Sequence, residues 1–226
     1  MTVPAQRIWG WDYLWPAIAK VTGVPLATAA TAVIGGVPDV SGGGGGFSAI
    51  EPTPSYQDGV PGTNSFHAVQ YLTPTDYQTI VDGLVEPTAW SFNPTPSVTT
   101  GYGTDRNVPD VSADADPYTG YLLYEPSFAG INEPVLQGGW GGTSFVGPQL
   151  NGSTAVIDSY LGHRVGFWNP SIYAAAVGPD SPFTQLGTAG TSNDNLYFTG
   201  NPGEPYNQGA GLGYLDLTKL AEYFSR

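Results

Sequence analysis

The sequence predicts one compact α/β unit with long ordered loops, and three observations predict it. Apolar residues make up 40% of the 226 residues, enough for one sizeable core and not comfortably for two. Gly 32 and Pro 21 together approach a quarter of the chain, a density that belongs to turns and long loops rather than to a helical bundle. Segments with helical spacing of apolar residues are interspersed with a short, continuous apolar run of strand type.

Taken in order, residues 7–22 form an amphipathic helical stretch in which Pro16 marks a break or a new first turn. Its four aromatics, Trp9, Trp11, Tyr13 and Trp15, suit a buried helix face better than a ligand box. An Ala/Thr/Val-rich segment, 25–34, leads to five consecutive glycines, Gly42 to Gly46. Ordering five glycines is costly. They are either a flexible linker or a place where backbone passes close to something, and Phe47-Ser48 directly after them favours the second. Residues 51–65 and 91–107 read as loops, and 74–86 between them as a helix with a Thr-Asp cap. Residues 120–124 read as a buried strand, 145–161 as a helix with an early proline, and 215–225 as the last helix. No repeat and no domain boundary is visible.

Only 11% of residues are charged, against roughly 25% in an average domain. The net charge is −13, with Lys20 and Lys219 the two lysines. Such a surface attracts neither nucleic acid nor an anionic membrane. It suits an acidic secreted protein, and it suits acid adaptation, because most carboxylates approach neutrality near pH ~4 and self-repulsion fades. The absence of cysteine excludes disulfides, thiolate metal sites and a cysteine nucleophile. No apolar run is long enough for a membrane span, and the first residues lack the basic-then-apolar pattern of a signal peptide.

The strongest local motif is Gly141-Gly142-Thr143-Ser144-Phe145-Val146-Gly147-Pro148. Two glycines permit a tight turn, and Ser144 then stands at the start of a helix, where backbone N–H groups favour developing negative charge. That suits a nucleophile forming an acyl intermediate beside an oxyanion; it equally suits a plain serine N-cap. A serine nucleophile needs a base. The two histidines, His67 and His163, lie in loop contexts without a triad pattern, which argues against a Ser-His-Asp hydrolase contained in this chain.

Wider context separates these readings. Val108 to Tyr121 (VPDVSADADPYTGY) precedes the serine turn, and Ser144 lies thirty-four positions after Asp110. Gly42–Gly46 with Phe47-Ser48 is followed by Pro52, Pro54, Ser55, Tyr56 and Gln57, and Gly166-Phe-Trp-Asn-Pro-Ser-Ile-Tyr173 follows the serine helix. With the serine motif these four blocks, in this order, resemble the serine-carboxyl peptidases of the sedolisin family, its kumamolisin-like members above all. The resemblance covers roughly 40–224, with extra length at 60–100. Subtilisins share the Gly-Thr-Ser and the broad fold, but the Asp110–Tyr121 block favours sedolisins.

The resemblance implies a subtilisin-like, mostly parallel sheet with helices on both faces, present here as the C-terminal portion of one catalytic domain. It implies a secreted endopeptidase acting on proteins and peptides at acidic pH, with Ser144 as nucleophile, a Glu/Asp pair as its partners and an aspartic acid in the oxyanion hole. A carboxylate base suits acid, where histidine is protonated. The family's Glu/Asp helix and its Ser-Gly-Asp strand end both lie upstream of the glycine block. Neither motif is in this chain; Asp12 and Asp39 are the early carboxylates, and neither has the family context. The expected partner is therefore an N-terminal half of the same domain. Two other readings stay open: a catalytically inactive binding or structural module of the same fold, and a histidine-based subtilisin-type protease.

The family also binds calcium through an aspartate, the next backbone carbonyl and a glycine-rich turn. By that resemblance Asp194, Asn195, Gly209 and Gly211 would supply oxygens. The second aspartate is displaced: Gly213 stands in its place and Asp216 comes three residues late. Asp194 as an ordinary turn aspartate is the alternative.

Overall fold

The computed structural model describes residues 6–31, 33–34, 37–38, 40–81, 83–187 and 193–226; Asp39 lies outside the described residues. The helices are α1 (Trp15–Thr22), α2 (Leu26–Ala30), α3 (Val146–Leu161), α4 (Asn169–Ala176) and α5 (Leu217–Phe224). The strands are β1 (Val33–Ile34), β2 (Val37–Pro38), β3 (Gly46–Pro52), β4 (Ser65–Val69), β5 (Leu72–Thr79), β6 (Val85–Phe92), β7 (Val98–Tyr102) and β8 (Asp105–Val108). They continue with β9 (Tyr121–Tyr124), β10 (Leu136–Trp140), β11 (Phe183–Thr184), β12 (Phe198–Thr199) and β13 (Tyr214–Leu215). The chain is a mixed α/β protein. Among the described residues every named strand pair is antiparallel, in small sheets of two or three strands. The described strands do not form a mostly parallel sheet. Among the described residues parallel pairing is confined to the isolated bridge Ser112–Tyr214. A parallel sheet needs crossover connections, whereas β5–β6 and β9–β10 here are joined directly to their sequence neighbours.

Contacts divide the chain into two units, Met1–Asp110 with Gln185–Gly211, and Val111–Thr184 with Leu212–Arg226. In the first, the aromatic-rich segment buries Trp11 and Trp15 but leaves Trp9 half-buried and Tyr13 exposed. Pro16 sits in the first turn of α1, where its missing N–H costs nothing. Trp15 packs with Ala30, Val40 and Leu196, and its ring meets Tyr71 at 5.9 Å and Phe92 at 5.7 Å, both edge-on.

The glycine run is a close-approach segment rather than a linker. A Cβ on Gly45 would lie 1.7 Å from the Gln208 carbonyl oxygen, so only hydrogen fits there. Beside it lies a buried amide network. The Gln57 side chain pairs with the Asn107 backbone like a short piece of strand, accepting from its N–H and donating to its carbonyl, both at 2.9 Å. Asn107 Oδ1 in turn accepts from the Asn64 N–H at 2.7 Å and from Gln208 at 3.2 Å. Each buried amide is thereby satisfied, which a network must be to stabilise.

Two expectations fail in this unit. Residues 74–86 form not a helix but most of the β5–β6 hairpin. Tyr77, Ile80, Val81, Leu84 and Val85 mimic helical spacing, but Gly83 adopts φ 83° and the turn closes with Ile80 donating to Leu84 at 2.8 Å. Part of 91–107 is strand as well: β7 pairs along the whole of β4.

In the second unit, α3 begins directly after the serine turn and ends at Gly162, and α5 is capped by Asp216. α4 buries Ile172, Tyr173, Ala175 and Ala176. By contrast α3 buries Ile157, while Val156 and Tyr160 are each 70% exposed.

Candidate active site

Ser144 lies in a single 3-10 turn, Thr143–Phe145, that runs into α3, and it is exposed to solvent. The turn is anchored from one side by the 114–117 segment. Gly142 adopts φ 94° and donates its N–H to the Ala115 carbonyl at 2.5 Å. A Cβ on Gly141 would lie 2.5 Å from the Pro117 nitrogen and 2.7 Å from the Ala115 oxygen, so that glycine is required by contact. Gln149, one turn into α3, donates to the Asp114 carbonyl at 2.9 Å and to the Phe145 carbonyl at 3.1 Å. Tyr121 donates to the same Asp114 carbonyl at 3.2 Å and stacks on Phe145 at 5.3 Å. Trp140 meets Phe145 from β10 at 6.2 Å. The serine thus stands, exposed, on a turn whose backbone is tied to the 114–117 segment.

The nearby acidic residues are used by their own turn. Asp116 accepts from the Tyr118 N–H at 3.0 Å. Asp114 is held by backbone N–H groups of Ala115 and Asp116, and partial burial pushes its carboxyl above the ordinary range. His67 places Nδ1 3.1 Å from the Thr100 hydroxyl and Nε2 2.9 Å from Asn201. His163 lies exposed with Nδ1 3.2 Å from the Leu161 carbonyl. Each histidine has a structural partner; His163 lies at a turn as its context suggested, whereas His67 lies not in a loop but in β4.

The five groups expected around calcium are distributed differently. Asp194, Asn195, Gly209 and Gly211 belong to the first unit and Asp216 to the second. The Asp194 carbonyl accepts from the Arg7 guanidinium at 2.5 Å, the same nitrogen that binds Asp12 at 2.5 Å. Burial pushes both the Asp12 and Asp194 carboxyls up, and Arg7 offsets this only in part. Asn195 is buried, its side chain donating to the carbonyls of Trp9 at 2.7 Å and Gly43 at 3.1 Å. The Gly211 carbonyl accepts from the Asn207 N–H at 3.1 Å, and Gly209 donates to the Asn207 side chain at 3.0 Å. Asp216 accepts from the N–H groups of Thr218 at 3.0 Å and Lys219 at 3.1 Å as the cap of α5. Among the described residues no three His, Cys, Asp or Glu side chains gather to hold a metal. Of these groups the Gly211 carbonyl and the Asp216 carboxylate already accept from protein N–H groups.

Sequence reasoning missed Arg7 and Gln149. Gln149 stands four positions after Phe145, the spacing that sets two residues on one helix face; nothing local marks Arg7.

No protein-family model matches the chain. The chain is similar to kumamolisin of Bacillus sp. (strain MN-32), 32% identical over 139 residues, which is 60% of this chain and 17% of that protein. The chain therefore spans less than a fifth of the length of the curated relative it matches, and the similarity supports a distant sedolisin-like relationship.

Proposed function

We propose that this chain is the serine-bearing part of a serine-carboxyl endopeptidase that cleaves proteins and peptides at acidic pH outside the cell, with Ser144 as the nucleophile. The observation that carries the reading is the anchored Gly141–Phe145 turn. It presents an exposed serine at the head of α3, in a chain distantly similar to a sedolisin-type peptidase. The turn orients the hydroxyl, and the first turn of α3 directs backbone N–H groups to the region where negative charge develops on an acyl carbonyl. The base and the oxyanion acid come from a preceding half of the same catalytic domain, as carboxyl groups.

Exposed apolar surface supports that completion. One face of the β9–β10 pair carries Tyr121 and Trp140 against Phe145. Leu122, Tyr124 and Leu136 of the same pair are 75%, 67% and 57% exposed. Large contiguous apolar exposure marks a surface that another element covers. Elements of the preceding half packed on that face would cover it.

The test is reconstitution. The chain alone is expected to show no peptide hydrolysis. Combined with the preceding half, it should cleave a fluorogenic peptide with a maximum below about pH 5, because a carboxylate base and a protonated oxyanion donor are both required. Ser144→Ala should abolish the activity. Hydrolysis that survives in Ser144→Ala removes the assignment, and a profile rising through pH 7 points to a histidine base. A reconstituted domain that folds and never cleaves points to an inactive module of this fold.

A further inference from the structure

We propose that the Arg7 guanidinium is the resident cation of the Asp194 turn, in the role the family resemblance assigns to calcium. Its Nη2 lies 2.5 Å from the Asp12 carboxylate and 2.5 Å from the Asp194 carbonyl, and its Nε donates to the Ile8 carbonyl at 3.3 Å. The guanidinium carbon lies 5.8 Å from the centre of the Tyr13 ring. One cation therefore gathers a carboxylate, two carbonyls and an aromatic face.

The same two stretches of chain are stitched on either side of it. Ile8 donates to the Asn193 carbonyl at 2.9 Å. Asn195 donates to the Trp9 carbonyl at 2.7 Å and receives the N–H groups of Tyr197 at 2.9 Å and Phe198 at 2.8 Å. Arg7 and Asp12 side chains are 24% and 16% exposed, so the pair is better shielded than an ordinary surface ion pair.

The Arg7 guanidinium bound to the Asp194 carbonyl stands beside the Asp194 carboxyl, and its charge repels a divalent ion seeking that carboxylate. Calcium takes about six to eight oxygens. Of the expected donors, the Gly211 carbonyl is engaged by Asn207 and the Asp216 carboxylate by its own helix cap. Arginine, always charged and forked, meets two oxygens with fixed geometry and needs no dehydration of an ion.

The inference goes beyond the peptidase reading, and its test reads no hydrolysis, so either can fail alone. The full chain is melted at neutral pH with chelator, with millimolar calcium and with neither, and its metal content is assayed as purified. The melting temperature is expected to be the same in all three, with no calcium retained. Arg7→Gln should lower it by several degrees. Arg7→Lys, which keeps the charge and loses the fork, should lower it by less, and it carries the test if the glutamine variant does not accumulate. A fall with chelator, a rise with calcium, retained calcium, or either variant melting like the parent overturns the proposal.

Discussion

Gln149 and Asp114, thirty-five positions apart, are joined by a 2.9 Å hydrogen bond from the Gln149 side-chain amide to the Asp114 carbonyl, which fixes the first turn of α3 to the segment beneath the serine. The same amide nitrogen reaches the Phe145 carbonyl, next to Ser144. Gln149→Leu keeps the side-chain bulk and removes both bonds. It should destabilise the chain by about 1 kcal/mol, the usual net worth of such a bond. In the completed peptidase it should lower kcat with little change in KM, because it loosens the nucleophile's turn without touching substrate. Equal loss of stability at neutral pH by Gln149→Glu, whose ionised carboxylate accepts and does not donate, would agree with the donor role. Unchanged stability in both variants would contradict it.

Ser144→Ala should leave the melting temperature within about a degree of the parent. The residue is exposed, and the turn is held by the Gly142 N–H, Gln149 and Tyr121 rather than by the serine hydroxyl. Surface changes away from caps and networks stay within about 0.5 kcal/mol. A large loss of stability would make Ser144 a structural cap and weaken its case as a nucleophile.

Gly45→Ala places a methyl group 1.7 Å from the Gln208 backbone oxygen. Backbone cannot retreat as a side chain can, so the cost belongs at or above the upper end of the about 1–3 kcal/mol typical of overpacking. Gly44→Ala is the control: nothing lies within 4 Å of its Cβ, and the residue should accept alanine. Urea melts of the two variants compare them directly; similar midpoints would refute the close approach.

Tyr206 is 0% exposed and donates to the Pro109 carbonyl at 2.8 Å. Burial, reinforced by the Asp110 charge and only partly offset by Arg106, pushes its phenol well above the ordinary 10.0. The folded state therefore keeps a proton that the unfolded chain releases. The stability this represents is fully present below pH 10.0 and is lost as pH rises above it, toward the folded value. Tyr197, also raised by burial, acts in the same sense. The parent should lose melting temperature steeply above pH ~10, and Tyr206→Phe should lose it less steeply from a lower starting point because its hydrogen bond is gone. Parallel pH profiles for the two would show that Tyr206 ionises freely.

The helices at 15–22, 146–161 and 217–224 were legible in the sequence because their signals are local. They are Pro16 in a first turn, Pro148 after the serine turn, and Asp216 bonding the N–H groups just beyond it. The strand at 121–124, the serine turn and the close passage of the glycine run were legible for the same reason, since a turn glycine or a short apolar run carries its meaning within a few residues; the burial expected of that strand was not met, because Leu122 and Tyr124 are exposed. Tertiary structure alone decided that 74–86 would pair as a hairpin, because spacing of apolar side chains does not reveal which backbone partner is nearby. It alone decided that Arg7 would meet Asp194, 187 positions away, and that Gln57 would bond Asn107, 50 positions away. A buried polar group must find a partner somewhere, and which one it finds depends on where the whole chain has placed the remaining donors and acceptors.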